Sequence, residues 1–330
     1  MLNPPKANRH FTMILFVVEV ALTARLKSMK PWHLFLLIVM NCLWAVSYSA
    51  FKALSPWLHA GGVATLRFGL AGAVLLLCWP WLPGLAPRGR DLLRSLVMGV
   101  IVFVFAPRLQ VAGVQLGQAT DASFLIALDP LITSVGAAIF LREHIAPRRW
   151  MGFLLGLAGA VLMAQVWRPG FRLPALTANA WILLSFLCEA AFSLMGKPML
   201  ERAGLFKILA LALLAGTAVN LLVDGWPTVL AAAAMPPRAW LVLAYLSLIC
   251  TLAGYSLWFA VIREAEVNVA ALTIFIQPVV GAAVAVAWLG ESLRWGQLWG
   301  SLVIVAGLVV GLPRPSHRNL NSRQTNSIIP

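Results

Sequence analysis

ASFLIALDPLITSVGAAIFLREHIAPRRWMGFLLGLAGAVL, residues 122–162, and AALTIFIQPVVGAAVAVAWLGESLRWGQLWGSLVIVAGLVV, residues 270–310, decide how this chain is built. Each stretch is an apolar run, a short turn carrying Leu-x-Glu, and a second apolar run rich in Gly. Laid over one another at a constant offset of 148, without a gap, they agree at eleven of 41 positions. Matches of Ala, Gly, Leu and Val recur by chance in apolar sequence. Pro130 with Pro278 and Glu143 with Glu291 do not, because both residue types are scarce in membrane segments. A second echo at a nearby offset sets Lys52 opposite Lys197 and Ala45 opposite Ala190.

Outward from the repeat, the whole chain reads the same way. Its 330 residues are 61% apolar and 11% charged, against about 45–50% and about 25% in soluble domains. A hydrocarbon core of about 30 Å takes about 20 apolar residues per helix. Ten runs qualify: about 33–51, 62–81, 95–113, 119–141, 150–167, 179–198, 206–224, 238–259, 267–289 and 295–312. The chain is expected to be an all-α integral membrane protein of ten transmembrane helices, with short loops and no sizeable soluble catalytic domain. Residues 1–30 are set apart: the apolar stretch at 11–24 is short, contains Glu19 and lacks a cleavage site. It reads as a cytoplasmic or interfacial segment, or Met29 is the true start. Residues 313–330 read as a cytoplasmic disordered tail.

The net charge of +14 follows the loop rule for membrane proteins and needs no nucleic acid. With the N-terminus inside, inner segments hold 18 Lys and Arg. Outer ones hold five: Lys52, Arg168, Arg172, Arg238 and Arg294. The bias predicts N-in, C-in in a bacterial cytoplasmic membrane. A repeat of five spans is odd, so the second copy must be inverted, the architecture of alternating-access transporters. The two units are 31–168 and 177–312.

Ten spans in two such halves, each with a helix, a Pro, small residues, Leu-x-Glu and a Gly-rich helix, resemble the EamA-type transporters of the drug/metabolite transporter superfamily. The resemblance covers about 31–312. It implies a secondary transporter, commonly an exporter of amino acids, drugs or other metabolites. Arg142 stands in the first copy where the second has Gly290, a departure to which no function attaches.

A charged residue in a span costs about 2.5–3.5 kcal/mol on insertion scales and is a site candidate by default. Arg67, Arg108, Asp129 and Glu189 qualify, with Asp121 a weaker case. Asp129 precedes Pro130, which frees the carbonyl of Ile126. Pro278 does the same for Ile274, and Gln277 stands where the repeat places Asp129. Two helix breaks at mid-depth offer polar backbone to a substrate or ion. Desolvation penalises a charged mid-membrane carboxylate, so Asp129 or Glu189 can carry a proton across. The structural alternative is a buried pair of Asp129 with Arg67 or Arg108. Those arginines could instead attract a carboxylate or phosphate of the substrate.

Helical spacing collects further polar groups on single faces: Asn41, Trp44, Tyr48 and Lys52; Ser185, Glu189, Ser193 and Lys197; Thr251, Tyr255 and Trp258. Together they read as the lining of an amphipathic pocket; singly each fits polar contacts between helices equally well. Glu143 and Glu291 each follow one helix and precede the next, and read as structural carboxylates for the amides of the following helix. Cys42, Cys78, Cys188 and Cys250 lie apart in apolar runs without metal or disulfide spacing, and read as buried inert thiols.

The expected function is a proton-linked exporter of small metabolites, amino acids or drugs, embedded in lipid and needing no metal or cofactor. Substrate-binding candidates are Asn41, Trp44, Tyr48, Arg67, Arg108, Glu189, Tyr255, Trp258 and Gln277; Asp129 is the proton-coupling candidate. An uncoupled facilitator or exchanger of the same fold and a non-transporting membrane scaffold are the alternatives. An integral membrane enzyme would need a constellation such as HExxH, GxSxG or a P-loop, and none occurs. Monomer and homodimer are equally open.

Overall fold

The computed structural model describes residues 31–116, 126–165, 167, 176–280, 283 and 295–312. Asp121, Glu291 and both terminal segments lie outside the described residues, as do the side chains of Tyr48 and Lys52. Among the described residues the secondary structure is helical throughout. We label the helices α1 (Pro31–Leu54), α2 (Ala60–Leu77), α3 (Arg90–Val100 continuing through Ile101–Phe105 to Ala106–Leu116), α4 (Ile126–Leu128 then Asp129–Phe140) and α5 (Pro147–Ala164). The second half holds α6 (Leu176–Met199), α7 (Leu205–Ala233), α8 (Pro237–Ala244, Tyr245–Ala253, Gly254–Glu264), α9 (from Val267–Leu272 through Thr273–Phe275) and α10 (Trp295–Gly311).

Five of these are long and apolar enough to cross a membrane: Ala60–Leu77, Arg90–Gln110, Ala180–Met199, Leu205–Ala233 and Pro237–Glu264. Shorter apolar helices run over Trp32–Ser47, Asp129–Phe140, Val267–Val280 and Leu298–Gly311. The protein is a multi-pass, all-α membrane protein. The expected fourth and ninth spans extend into residues outside the described ones. Large apolar side chains such as Leu222 and Trp226 are exposed on the bundle surface, as they must be where the solvent is lipid.

Equivalent helices of the two halves pack on one another: α2 on α7, α4 on α9 and α5 on α10. The glycines show the direction. A Cβ on Gly152 would lie 2.9 Å from the Gly307 carbonyl oxygen, and one on Gly159 would lie 2.6 Å from that of Gly300. The lower-numbered residue of α5 thus meets the higher-numbered one of α10, so the pair is antiparallel. Gly152 and Gly159 are also the repeat partners of Gly300 and Gly307, so the two contacts exchange under the repeat. On α2, Gly61 meets Asp224, and Gly72 meets Leu213 on α7, again antiparallel. With no hydrophobic drive between helices in lipid, close backbone approach at small residues is what holds them.

Local departures from α-helix also come in pairs. π-helical turns occupy Ile101–Phe105 in α3 and Tyr245–Ala253 in α8, and the offset of 148 carries the first into the second. In α4 and α9 the prolines produce 3-10 turns, Ile126–Leu128 and Thr273–Phe275, ahead of Pro130 and Pro278. The expected breaks are therefore tightenings rather than open gaps. An i→i+3 turn re-routes backbone bonds where a Pro withdraws its N–H.

Candidate functional site

These irregular segments contribute to the wall of a cavity of about 180 Å³ between the helices. α1 contributes Trp44, Ser47 and Phe51, and α2 contributes Arg67 and Phe68. From α3 come Val102, Pro107 and Gln110, and from α4 Asp129 and Thr133. α6 adds Glu189, Phe192 and Ser193; α8 adds Tyr255 and Trp258; α9 adds Gln277. On α1 and α3 the lining residues come from the C-terminal parts, so the cavity extends toward the Leu54 and Leu116 end of the bundle.

The π-turns position its two edges. In α8, the Thr251 hydroxyl donates to Leu246 O at 2.9 Å, five residues back. Its oxygen then accepts from Arg67 Nε at 2.6 Å. The Arg67 guanidinium also lies 5.3 Å from the ring centroids of both Phe51 and Phe68, a cation–π setting. Trp44 Nε1 donates to the carbonyl of Cys250 in the same π-turn, at 2.7 Å. In α3, Pro107 has no N–H for the carbonyl of Phe103, which accepts from Asn220 Nδ2 at 2.9 Å.

Aromatic side chains make the cavity's apolar wall. Tyr255 is edge-on to Phe192 at 4.7 Å and to Phe103 at 5.3 Å, and tilted against Trp44 at 5.5 Å. Trp258 Nε1 donates to Ser193 Oγ at 2.8 Å, which fixes its ring against α6. Thr133 Oγ1 lies 3.4 Å from Asp129 Oδ1, a long contact.

Eight of the residues singled out in the sequence thus line one cavity: Trp44, Arg67, Asp129, Glu189, Ser193, Tyr255, Trp258 and Gln277. Asn41 lies behind the wall. It donates to Leu37 O at 2.7 Å and Thr273 Oγ1 at 3.0 Å, and accepts from Gln277 Nε2 at 2.8 Å. Pro130 is buried and Pro278 is half-buried beside Gln277.

Arg108 is elsewhere. It pairs with Asp224 and donates to Asn220 Oδ1 at 2.9 Å, both on α7. Its guanidinium is engaged by Asp224 and Asn220, and it is not among the residues that line the cavity. It does not hold Asp129 either, which leaves Arg67 as the arginine of the structural alternative. Asp224 was legible only as the last residue of its span, although Asn220 sits four residues earlier on the same helix face. The sequence also passed over Phe51, Gln110 and Phe192. Gln110, a polar residue two positions after Arg108 inside an apolar run, was the available signal.

Glu143 differs from expectation in its partner. It accepts from Val267 N at 2.8 Å, Asn268 N at 3.1 Å and Asn268 Nδ2 at 2.7 Å. The helix it caps is therefore α9 of the other half, not the following α5. Burial would push its carboxyl up, but the hydrogen bond from Lys197 and those from the Val267 and Asn268 amides outweigh this and hold it below the usual carboxylate range. Of the cysteines, Cys250 is buried but Cys78 is exposed.

The sequence profile of the EamA-like transporter family matches residues 31–165 and again 176–312. A "Probable terminal-alkyne amino-acid exporter" of Streptantibioticus cattleyicolor is 27% identical over 292 residues, covering 86% of this chain and 93% of its own. A "Probable amino-acid metabolite efflux pump" of Salmonella typhimurium is 25% identical over 301 residues, covering 86% and 95%. A protein known from its crystal structure superposes with a TM-score of 0.67 at 17% identity, over 88% of this chain and 96% of that one. That last likeness is one of fold alone.

Proposed function

The chain belongs to the EamA-like transporter family, and from that premise we propose that this transporter is a proton-linked exporter of small zwitterionic metabolites working by alternating access. The observation that carries the reading is the charge balance of the cavity. One arginine, Arg67, and two carboxylates, Asp129 and Glu189, line it together. One guanidinium cannot neutralise two carboxylates, and burying the surplus negative charge without a partner is costly. A proton or the ammonium group of a substrate supplies the missing positive charge. The two compete for the same site, so loading one releases the other.

Arg67 is the natural partner for the carboxylate of such a substrate, since its planar fork binds carboxylates better than a point charge does. The aromatic wall accommodates the apolar part. The cavity of about 180 Å³ is below the roughly 300–1,000 Å³ of sites for drug-sized ligands, which favours an amino acid or similar metabolite over a bulky drug. Two relatives bear the names of amino-acid and amino-acid-metabolite exporters, in keeping with this class. The Lys and Arg bias supports a bacterial cytoplasmic membrane with both termini inside.

The test uses the full chain in liposomes under an imposed pH gradient, with internal pH followed as amino acids, nucleosides, sugars and cationic drugs are added in turn. Proton movement that depends on an amino acid is the expected result. Tracer flux with no proton movement makes the protein a facilitator or exchanger, and no flux of any substrate overturns the reading.

A further inference from the structure

The cavity extends away from the end where α1 begins and α4 ends, and at that end polar contacts join the two halves. Lys197 of α6 donates to Glu143 Oε1 at 2.7 Å and to Ala265 O at 2.7 Å. The same carboxylate accepts the three α9 donors described above. Alongside it, Arg149 of α5 reaches Asn268 Oδ1 at 2.5 Å and Glu266 Oε2 at 2.5 Å. Every one of these side-chain bonds from Glu143 and Arg149 joins the first repeat to the second.

We infer that Glu143 is the latch of this end: its carboxylate clamps α6 and the start of α9, and must let go before the cavity can open here. This rests on the alternating-access reading above. Two further cross-half contacts of charged side chains at the same end are solvent-exposed, Arg202 with Asp91 at 2.8 Å and Lys207 with the Gly84 carbonyl at 2.9 Å, while the buried Ser95 hydroxyl makes only a long contact to Met199 Sδ at 3.6 Å. Exposed ion pairs hold little. Glu143 differs because its side chain is only 7% exposed and four donors converge on its two oxygens. Releasing it strands the first amides of a helix together with an ammonium group, so opening needs water or a rearranged α9 to replace them. A single carboxylate thereby couples the separation of α6 and of α9 from the first half.

The experiment is pulsed EPR on the full chain in lipid nanodiscs, with the four native cysteines replaced and spin labels at M151C and R263C, exposed positions on α5 and α8. Glu143→Gln, which removes the charge but keeps the shape, is expected to add a second, longer distance population. Lys197→Gln and Asn268→Ala are expected to add it to a smaller degree, and they stand in if Glu143→Gln does not fold. The swap E143K/K197E is expected not to restore the short distance, because the α9 amides need an acceptor that lysine lacks. Identical distances in the parent and all three single variants overturn the latch and leave Glu143 a static cap. A chain that moves no substrate in liposomes overturns the transport reading instead, while the distances still decide whether Glu143 holds the halves together.

Discussion

Arg67 of the first half and Thr251 of the second are joined by a 2.6 Å hydrogen bond from Nε to a hydroxyl. Thr251 sits in a π-turn and has already given its proton to Leu246 O. The arginine is thus oriented by a helix irregularity in the opposite repeat. Within the cavity its guanidinium is the cation set against Asp129 and Glu189.

Arg67→Gln is expected to weaken carboxylate-bearing substrates by roughly tenfold to a hundredfold, the equivalent of about 1.5–3 kcal/mol for a charged hydrogen bond. Amines without a carboxylate should bind as before. Thr251→Val keeps the charge and loses only the tether, so its loss should be the smaller. Binding isotherms on purified protein check both; equal losses for the two substrate classes would count against a carboxylate anchor.

Asp129→Asn is expected to uncouple transport from the proton gradient while substrate counterflow persists. The amide keeps the shape and cannot exchange a proton. Flux in liposomes with and without a pH gradient checks this, and an undiminished response to the gradient would remove Asp129 from the coupling role.

Arg108→Gln leaves Asp224 half-buried without its charged partner. A cost of about 2 kcal/mol is expected, below the 3–5 for fully buried pairs because Arg108 is partly exposed. The double variant R108Q/D224N should recover most of it. Melting in detergent measures both, and substrate affinity is expected to stay unchanged. Selective loss of anionic substrates would return Arg108 to the binding site.

Glu143 sets a sign for pH. Its carboxyl is held low in the folded protein by Lys197 and the α9 amides, against the opposing effect of burial. Its contribution is therefore complete above the unfolded value of about 4.3 and is lost only as pH falls through the lower folded one. Between about pH 5 and 8 the α9 contact should be insensitive to the titration of Glu143. Distances between labels on α5 and α8 should thus stay constant across this window. A shift with a midpoint near neutrality would assign the titration to another group.

Gly159→Leu is expected to destabilise the α5–α10 pair by about 1–3 kcal/mol, since a Cβ there meets the Gly300 carbonyl oxygen at 2.6 Å. Loss of melting temperature in detergent, with no loss in an exposed control such as Leu154→Ala, is the expected pattern.

Membrane class, repeat and inversion were legible from the chain alone because they depend on local properties. A run of apolar residues must be a helix in lipid, since no water is there to satisfy an open backbone. The Pro130 and Pro278 pair marked where α4 and α9 depart from regularity, and the polar stripe of Trp44, Glu189, Tyr255 and Trp258 marked faces that meet at a cavity. Partners were another matter. Asp129, Arg67 and Arg108 carried the same signal, a charge within an apolar run. Whether Arg108 faced the cavity or Asp224 depended on how α3 packs on α7, a rotation about the helix axis that apolar periodicity constrains only loosely. Glu143 likewise looked like the cap of the helix next in sequence. Only the antiparallel packing of two inverted halves brings it to the first amides of α9, 124 residues further along the chain.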